Sequence, residues 1–448
     1  LKPIVLQQQY ETLMKQLLFF IVFPTLVFSQ TIKGTFSPAS DYTYAFLYNA
    51  TPEGANYVDR GKLDAEGQFE IELDSSLAPG IYKIVYAIPP EENNFDFIYD
   101  GKNSVAFTFN ADTGVSFTAS DENKLWDSYL KSMEMVNQTI SNYYAQGKTD
   151  EAGYKSIFKV VADTQKAYEE SSQDMLVSAF IKANRPYIPK TYEDIGTYSK
   201  NLKEHYLSEI DFNNYILQSS SFIVDRVMAY VFDIVVDPTD QIYKSHVDDV
   251  SNAIGDDSAE IKTTLLYLLW QRFTTMDNHD VANYITDTYL LELANATNNK
   301  VIAETIKSYK NTSIGALAPD FEIQQTGNGG NTKMLSQLTG YDFYLLVFWS
   351  SGCGHCLEEL PLIKELMTNF PNIKVVAYGL ENSEYPWSEE IKNYPSFVHS
   401  IGLGKWDNPT VSTYGINATP TYFLLDKDKK IIAKPYDYKE VESTLKGL

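Results

Sequence analysis

The sequence predicts a chain of several domains: an N-terminal antiparallel β-sandwich, an all-α middle region and a C-terminal α/β layer fold. Three observations predict it. Short runs after residue 30 alternate apolar and polar positions at period two. The middle of the chain carries its apolar residues at helical spacing. From Ser313 onward, strand-like and helix-like runs alternate. The 448-residue length suits about three domains of roughly 100–200 residues each.

The first element is a leader. From Met14 the chain reads MKQLLFFIVFPTLVFSQ. Lys15 supplies a positive start, and Leu17 to Phe28 an apolar core of twelve residues. Val27 and Ser29 fit the small-residue rule for cleavage after Ser29. Twelve residues are too few to cross a bilayer, which needs about twenty. Residues 1–29 are therefore expected to be a signal-peptide region with its start at Met14, and the mature chain to have no transmembrane segment. No cysteine follows the cleavage point, so lipid attachment there is chemically excluded. Export to an oxidising space, a periplasm or cell envelope, is the expected localisation.

Residues 31–118 form the predicted β-sandwich. TIKGTF, YTYAFLYN, GQFEIEL, GIYKIVYAI, NSVAFTFN and TGVSFTAS alternate in character, with turn signals at Pro52-Glu53-Gly54, Asp64 to Gly67, Pro79-Gly80 and Asp100-Gly101. Residues 119–312 are the predicted helical region. Leu125, Tyr129, Met133 and Val136 show its spacing, and its Tyr- and Phe-rich stripes read as core. His205, His246 and His279 lie far apart there, without metal-ligand spacing. Residues 313–448 begin with SIGALAPDFEI and an apolar strand, DFYLLVFW. A helix, LEELPLIKELMTNF, a strand, IKVVAYGL, and a strand pair across an Asp-Lys turn follow. KEVESTLKGL closes the chain as a helix.

Formal net charge is −23. A field of that sign repels nucleic acid and anionic lipid, and no basic stripe overrides it. The whole chain has two cysteines, both in SSGCGHCLEELP, Ser350 to Pro361. Exported domains often carry structural disulfides. The one intramolecular bridge available here closes a tiny loop and constrains the unfolded chain little. Stability is thus a poor reason for the pair, and redox chemistry a better one.

The strand YLLVFW delivers the chain to a helix N-terminus, with Cys353 at the helix start and Cys356 one turn on. Unpaired backbone N–H groups there stabilise a thiolate at Cys353, and such sites lower a cysteine pKa to about 3.5–7.5. Cys353 is expected to attack a substrate disulfide and Cys356 to resolve the mixed disulfide. His355 can share charge with the thiolate, or stand as a plain turn residue in solvent. Glu359 follows Cys356 by three positions on roughly the same helical face. It either takes the Cys356 proton or is a solvated acid like Glu358. A structural zinc site needs four ligands, and a second CxxC or CxxH is lacking, so neither metal nor cofactor is expected. A peroxidase would want a lone activated cysteine backed by Thr and Arg, which VFWSSGC does not supply.

LLVFWSSGCGHCLEELPLIKEL with GINATPTYFLLDKDKKI resembles the thioredoxin superfamily, and within it the TlpA/ResA-like exported thiol–disulfide oxidoreductases. CxxC at a strand-to-helix junction, Pro361 at the helix-kinking position, and Thr419-Pro420-Thr421 at the cis-proline loop carry the likeness. Ala318 to Ile323 looks like the family's entry into the fold. The resemblance implies a thioredoxin fold over residues 313–448 and an active-site glutamate at Glu359. It also implies a cis bond before Pro420, which shapes a docking edge with Trp349, Gly354, His355 and Thr419. Where the family usually has Trp before the first cysteine, this chain has Gly352. Gly354-His355 equals the dipeptide typical of protein disulfide isomerases. TIKGTF, AEGQFEIEL and PGIYKIVYA resemble a small domain that often precedes such oxidoreductase domains in exported bacterial proteins.

The expected function is reduction of disulfides in exported proteins, with protein thiols and disulfides as partners and a membrane electron donor upstream. An oxidase or isomerase using the same residues is the alternative. From another class, the module could only recognise a partner, its cysteines idle.

Overall fold

The computed structural model describes residues 30–323 and 333–448; the expected signal region lies outside the described residues. Two compact units divide at Ile223/Val224, inside the helix Phe222–Phe232.

In the first unit, alternating apolar residues build eight strands: β1 (Thr31–Ser37), β2 (Tyr44–Thr51), β3 (Gly54–Lys62), β4 (Gln68–Glu72), β5 (Gly80–Val85), β6 (Asn94–Tyr99), β7 (Val105–Asn110) and β8 (Gly114–Ala119). They form two four-stranded sheets, β4-β1-β7-β8 and β3-β2-β5-β6. Both contribute to one apolar cluster: Ile32, Phe36, Phe69 and Phe107 from the first, Leu47, Ile84 and Phe97 from the second. The expectation of wholly antiparallel pairing is corrected at one seam. β1 runs parallel to β7, Ile32 opposite Val105 through Ser37 opposite Asn110. Parallel neighbours need a long crossover, and here the intervening strands supply it.

The middle of the chain is helical. In the first unit, Asp121–Ala145 starts at Ser120, whose Oγ accepts the Asn123 amide. Glu151–Ser171 starts at Asp150, which accepts the Gly153 amide. Each cap satisfies an orphan N–H of the first turn. The second unit contains the helices Asp240–Ile254, Ala259–Thr275 and Lys300–Asn311, among others.

The second unit also holds the C-terminal sheet. After a short pair, β9 (Glu322–Ile323) and β10 (Lys333–Met334), come β11 (Phe343–Trp349), β12 (Ile373–Glu381), β13 (Val398–Leu403), β14 (Thr421–Asp426) and β15 (Ile431–Ala433). The order is β13-β12-β11-β14-β15, with β11 central, parallel to β12 and antiparallel to β14. β11 is buried on both faces, so it reads as a continuous apolar run. Leu345, Val347 and Trp349 pack with Leu360 and Ile363 of the helix Gly354–Leu366. Tyr344, Leu346 and Phe348 pack on the other face with Phe321, Val411 and Tyr414. This is the thioredoxin-like arrangement. The ends of β11, β12 and β13 and the start of β14 share one edge of the sheet, and the cysteines lie there.

Candidate redox site

Past Trp349 the chain folds into a tight turn. The Ser350 carbonyl accepts the Cys353 amide at 3.0 Å. Ser350 Oγ accepts the Gly352 amide at 3.3 Å, and the Ser351 amide donates to Glu381 Oε1 at 2.6 Å. The turn leaves Cys353 as the N-cap of the helix Gly354–Leu366, with extended backbone, and its Sγ accepts the Cys356 amide at 3.2 Å. A helix N-terminus aims free N–H groups and the positive end of its dipole at that sulfur.

Cys353 and Cys356 are joined as a disulfide, with Cα atoms 5.2 Å apart. The two sulfurs are not equivalent. Cys353 is half-buried, whereas Cys356 is 0% exposed and belongs to the apolar cluster under the helix. Facing Cys353, the Thr419 carbonyl oxygen stands 3.3 Å from its Sγ. The Thr419–Pro420 bond is cis, and both residues are half-buried.

Glu359 is half-buried one turn along the helix from Cys356. Its Oε2 accepts the Tyr422 hydroxyl at 2.7 Å and the Tyr438 amide at 3.0 Å. It is thus held by partners rather than freely solvated. Burial first, and then the adjacent Glu359 carboxylate, push the Tyr422 phenol well above the usual tyrosine range. That phenol therefore stays protonated and donates.

His355 projects into solvent, its side chain 84% exposed, with Nδ1 3.9 Å from Glu358 Oε2. Gly354 is exposed beside it. Trp349 needs correction. The resemblance puts it on the docking edge, but it is 0% exposed, inside the cluster with Cys356 and edge-to-face with Tyr394. Side chains of a strand alternate between faces, and position 349 points with Leu345 and Val347 toward the helix. It forms a floor beneath the site and offers no surface to a substrate.

Three residues escaped the sequence reading. Glu381, the last residue of β12, reaches the turn before Cys353. Tyr422 and Tyr438 hold Glu359 from β14 and the final helix, Tyr438–Lys446. Tyr422 carried a usable signal, since it lies two residues after Pro420 in a strand expected to flank the site.

A CxxC pair at the head of a helix, one sulfur reachable and one sealed, on a sheet of this order, defines a thiol–disulfide oxidoreductase of the thioredoxin superfamily. The Redoxin family model matches residues 313–448. Thiol-disulfide oxidoreductase ResA of Bacillus cereus is 30% identical over 124 residues, covering 27% of this chain and 68% of that protein. The ResA of Geobacillus thermodenitrificans is 25% identical over 167 residues, covering 36% of this chain and 91% of its own. Among solved structures, the thioredoxin domain of a Bacteroides vulgatus thiol-disulfide oxidoreductase is 24% identical with a TM-score of 0.27. It covers 30% of this chain and 96% of that one. A thiol:disulfide interchange protein from a Bacteroides species is 21% identical with a TM-score of 0.28, covering 31% and 91%. Through its C-terminal domain, this chain belongs to the ResA-like thiol–disulfide oxidoreductases.

Proposed function

We propose that the chain reduces disulfides of exported proteins through Cys353 and Cys356. The reduced Cys353 thiolate attacks one sulfur of a substrate disulfide. That S–S bond breaks, a new one forms to Cys353, and the departing substrate thiolate takes a proton. Cys356 then gives its proton to Glu359 and attacks Cys353 Sγ. The second substrate thiol is released, and the enzyme disulfide closes, two electrons having passed to the substrate. A dithiol on the membrane-side donor returns the pair to its reduced form. Pro420 and the Thr419 backbone form the edge that aligns an extended substrate segment over Cys353, beside Gly354 and His355.

The observation that carries this reading is the unequal exposure of the two sulfurs, Cys353 half-buried against Cys356 at 0%. It supports attack by the first and resolution by the second. The capping N–H at Cys353 Sγ supports an anion there. Residues 313–448 are the catalytic domain in this scheme, residues 31–118 a β-sandwich domain and residues 119–312 a helical region between them. A leader within residues 1–29 directs export in this scheme.

An oxidase or isomerase reading draws on Gly354-His355. His355 lies out in solvent near Glu358, which weakens the case for a tight imidazole–thiolate pair, so reduction is preferred. Insulin reduction by the full chain and by Cys353→Ser tests the scheme. Loss of turnover in the variant is expected, and equal rates refute it. An equilibrium potential against glutathione well above about −200 mV reassigns the direction to oxidation.

A further inference from the structure

Two carboxylate side chains are buried among the described residues, Glu122 and Glu381. Glu122 has a plain structural use: its oxygens accept the Leu176 and Val177 amides at 3.0 and 2.8 Å, at the start of the helix Val177–Ala183. Glu381 caps no helix. It is 6% exposed, and its Oε1 accepts the amide of Ser351, two residues before Cys353, at 2.6 Å. A carboxylate this little exposed, with a neutral amide as its hydrogen-bond partner, is costly to place there. An apolar residue at the end of this apolar strand avoids that cost. Ser351 Oγ, on the same residue as that amide, is buried without a hydrogen-bond partner, so the ground under the turn is polar.

Register places Glu381 where it can act on the couple. Trp349 stands opposite Gly379, so Glu381 lies two residues beyond the end of β11, alongside the segment 350–352. That segment is otherwise closed by its own bonds, from Ser350 O to Cys353 N and from Ser350 Oγ to Gly352 N. Glu381 ties it to the sheet.

We propose that Glu381 is a positioning residue for the redox pair: its carboxylate fixes the turn carrying Cys353 and sets a negative charge against that turn, two residues before the sulfur that becomes anionic on reduction. This rests on the redox-site reading above. When a dithiol donor reduces the enzyme, two electrons enter the Cys353–Cys356 bond and the donor closes its own disulfide. Of the two protons released, one goes to Cys356, and the other passes to water while Cys353 is a thiolate. A like charge held against the turn that carries that thiolate raises the reduced state in energy and makes it the better electron donor.

The full chain, Glu381→Gln and Glu381→Asp are equilibrated in dithiothreitol redox buffers at pH 7, and the alkylated thiols are counted by mass spectrometry. Gln keeps an oxygen for the Ser351 amide and removes the charge. The equilibrium constant favouring the dithiol should rise about tenfold, a potential about 30 mV more positive. Asp keeps the charge and shortens the reach, so its equilibrium should stay within about twofold of the parent while insulin reduction slows about fivefold or more. A Gln variant within about twofold of the parent overturns the proposal. Should Gln not fold, an Asp variant matching the parent in both measurements overturns it. A parent chain with no reversible couple overturns the redox-site reading itself. A normal parent couple with unmoved variants removes Glu381 alone.

Discussion

Alanine at position 379 is a demanding test of the packing beside the redox turn. Its Cβ falls 2.4 Å from Trp387 Nε1 and 2.6 Å from Cδ1. Ordinary contacts lie near 3.5–4.0 Å, so the indole has to retreat by about 1 Å. It has little room, because Trp387 is 4% exposed and sits in the cluster with Trp349, Cys356 and Ile401. Overpacking of this kind costs about 1–3 kcal/mol. Gly354→Ala is the matched control, since a Cβ there meets nothing within 4 Å and the residue opens a helix. The same change at 354 is therefore neutral or stabilising by up to about 1 kcal/mol. In the reduced protein, Cys356 is sealed, so its reaction with a thiol reagent across a urea series reports opening of this domain. Gly379→Ala should move the midpoint to lower urea, and Gly354→Ala should not. Equal shifts for the two variants refute the packing argument.

Tyr422→Phe keeps the ring and deletes the hydroxyl that donates to Glu359 at 2.7 Å. Hydrogen bonds to a charged group contribute about 1.5–3 kcal/mol, so the variant should unfold at lower urea and hold a mixed disulfide several-fold longer. Unchanged decay of that species in stopped-flow contradicts the role given to Glu359. Burial depresses His279 and His399 below the histidine value of 6.5, with Lys434 adding to it at His279 and the Tyr394 carbonyl opposing it at His399. The unfolded chain then binds protons first. The stability they contribute is complete above about pH 6.5 and drains as pH falls through their folded values. Unfolding free energy from pH 7.5 to 5 should decline, and His399→Phe should flatten the slope; an equally steep variant excludes His399. At the alkaline end, burial holds Tyr414 and Tyr422 far above 10, so their stabilisation fades as pH rises past about 10. Ultraviolet titration should show phenols that ionise only on unfolding, and smooth titration of every tyrosine near pH 10 would count against that.

The cysteine chemistry was legible because two thiols at CxxC spacing, a strand before them and a helix after them are all local signals. The α/β layering around them followed from alternating strand and helix runs, whereas the sheet order did not. What escaped depends on which face a residue takes. Trp349 adjoins the motif in sequence, yet strand alternation turns it inward with Leu345 and Val347. Glu381 follows the apolar run IKVVAYGL and carries no local signal; only the parallel register of β11 and β12 brings it to Ser351. In the first unit, β3 was not anticipated because most of its nine residues are exposed and show no apolar alternation. The parallel seam of β1 and β7 was equally hidden, since strand pairing over that sequence distance leaves no mark in local periodicity.

That seam bears on how the protein is made. β1 emerges first from the ribosome among the eight strands, yet it occupies an interior lane of its sheet, bonded to residues 68–72 on one flank and 105–110 on the other. Until synthesis has passed Asn110, one side of β1 is a raw hydrogen-bonding edge with nothing to close it. Each later strand can still add to one already made, β4 and then β7 to β1 and β8 to β7, but the opening strand must be kept from sticking to other chains until its last partner arrives.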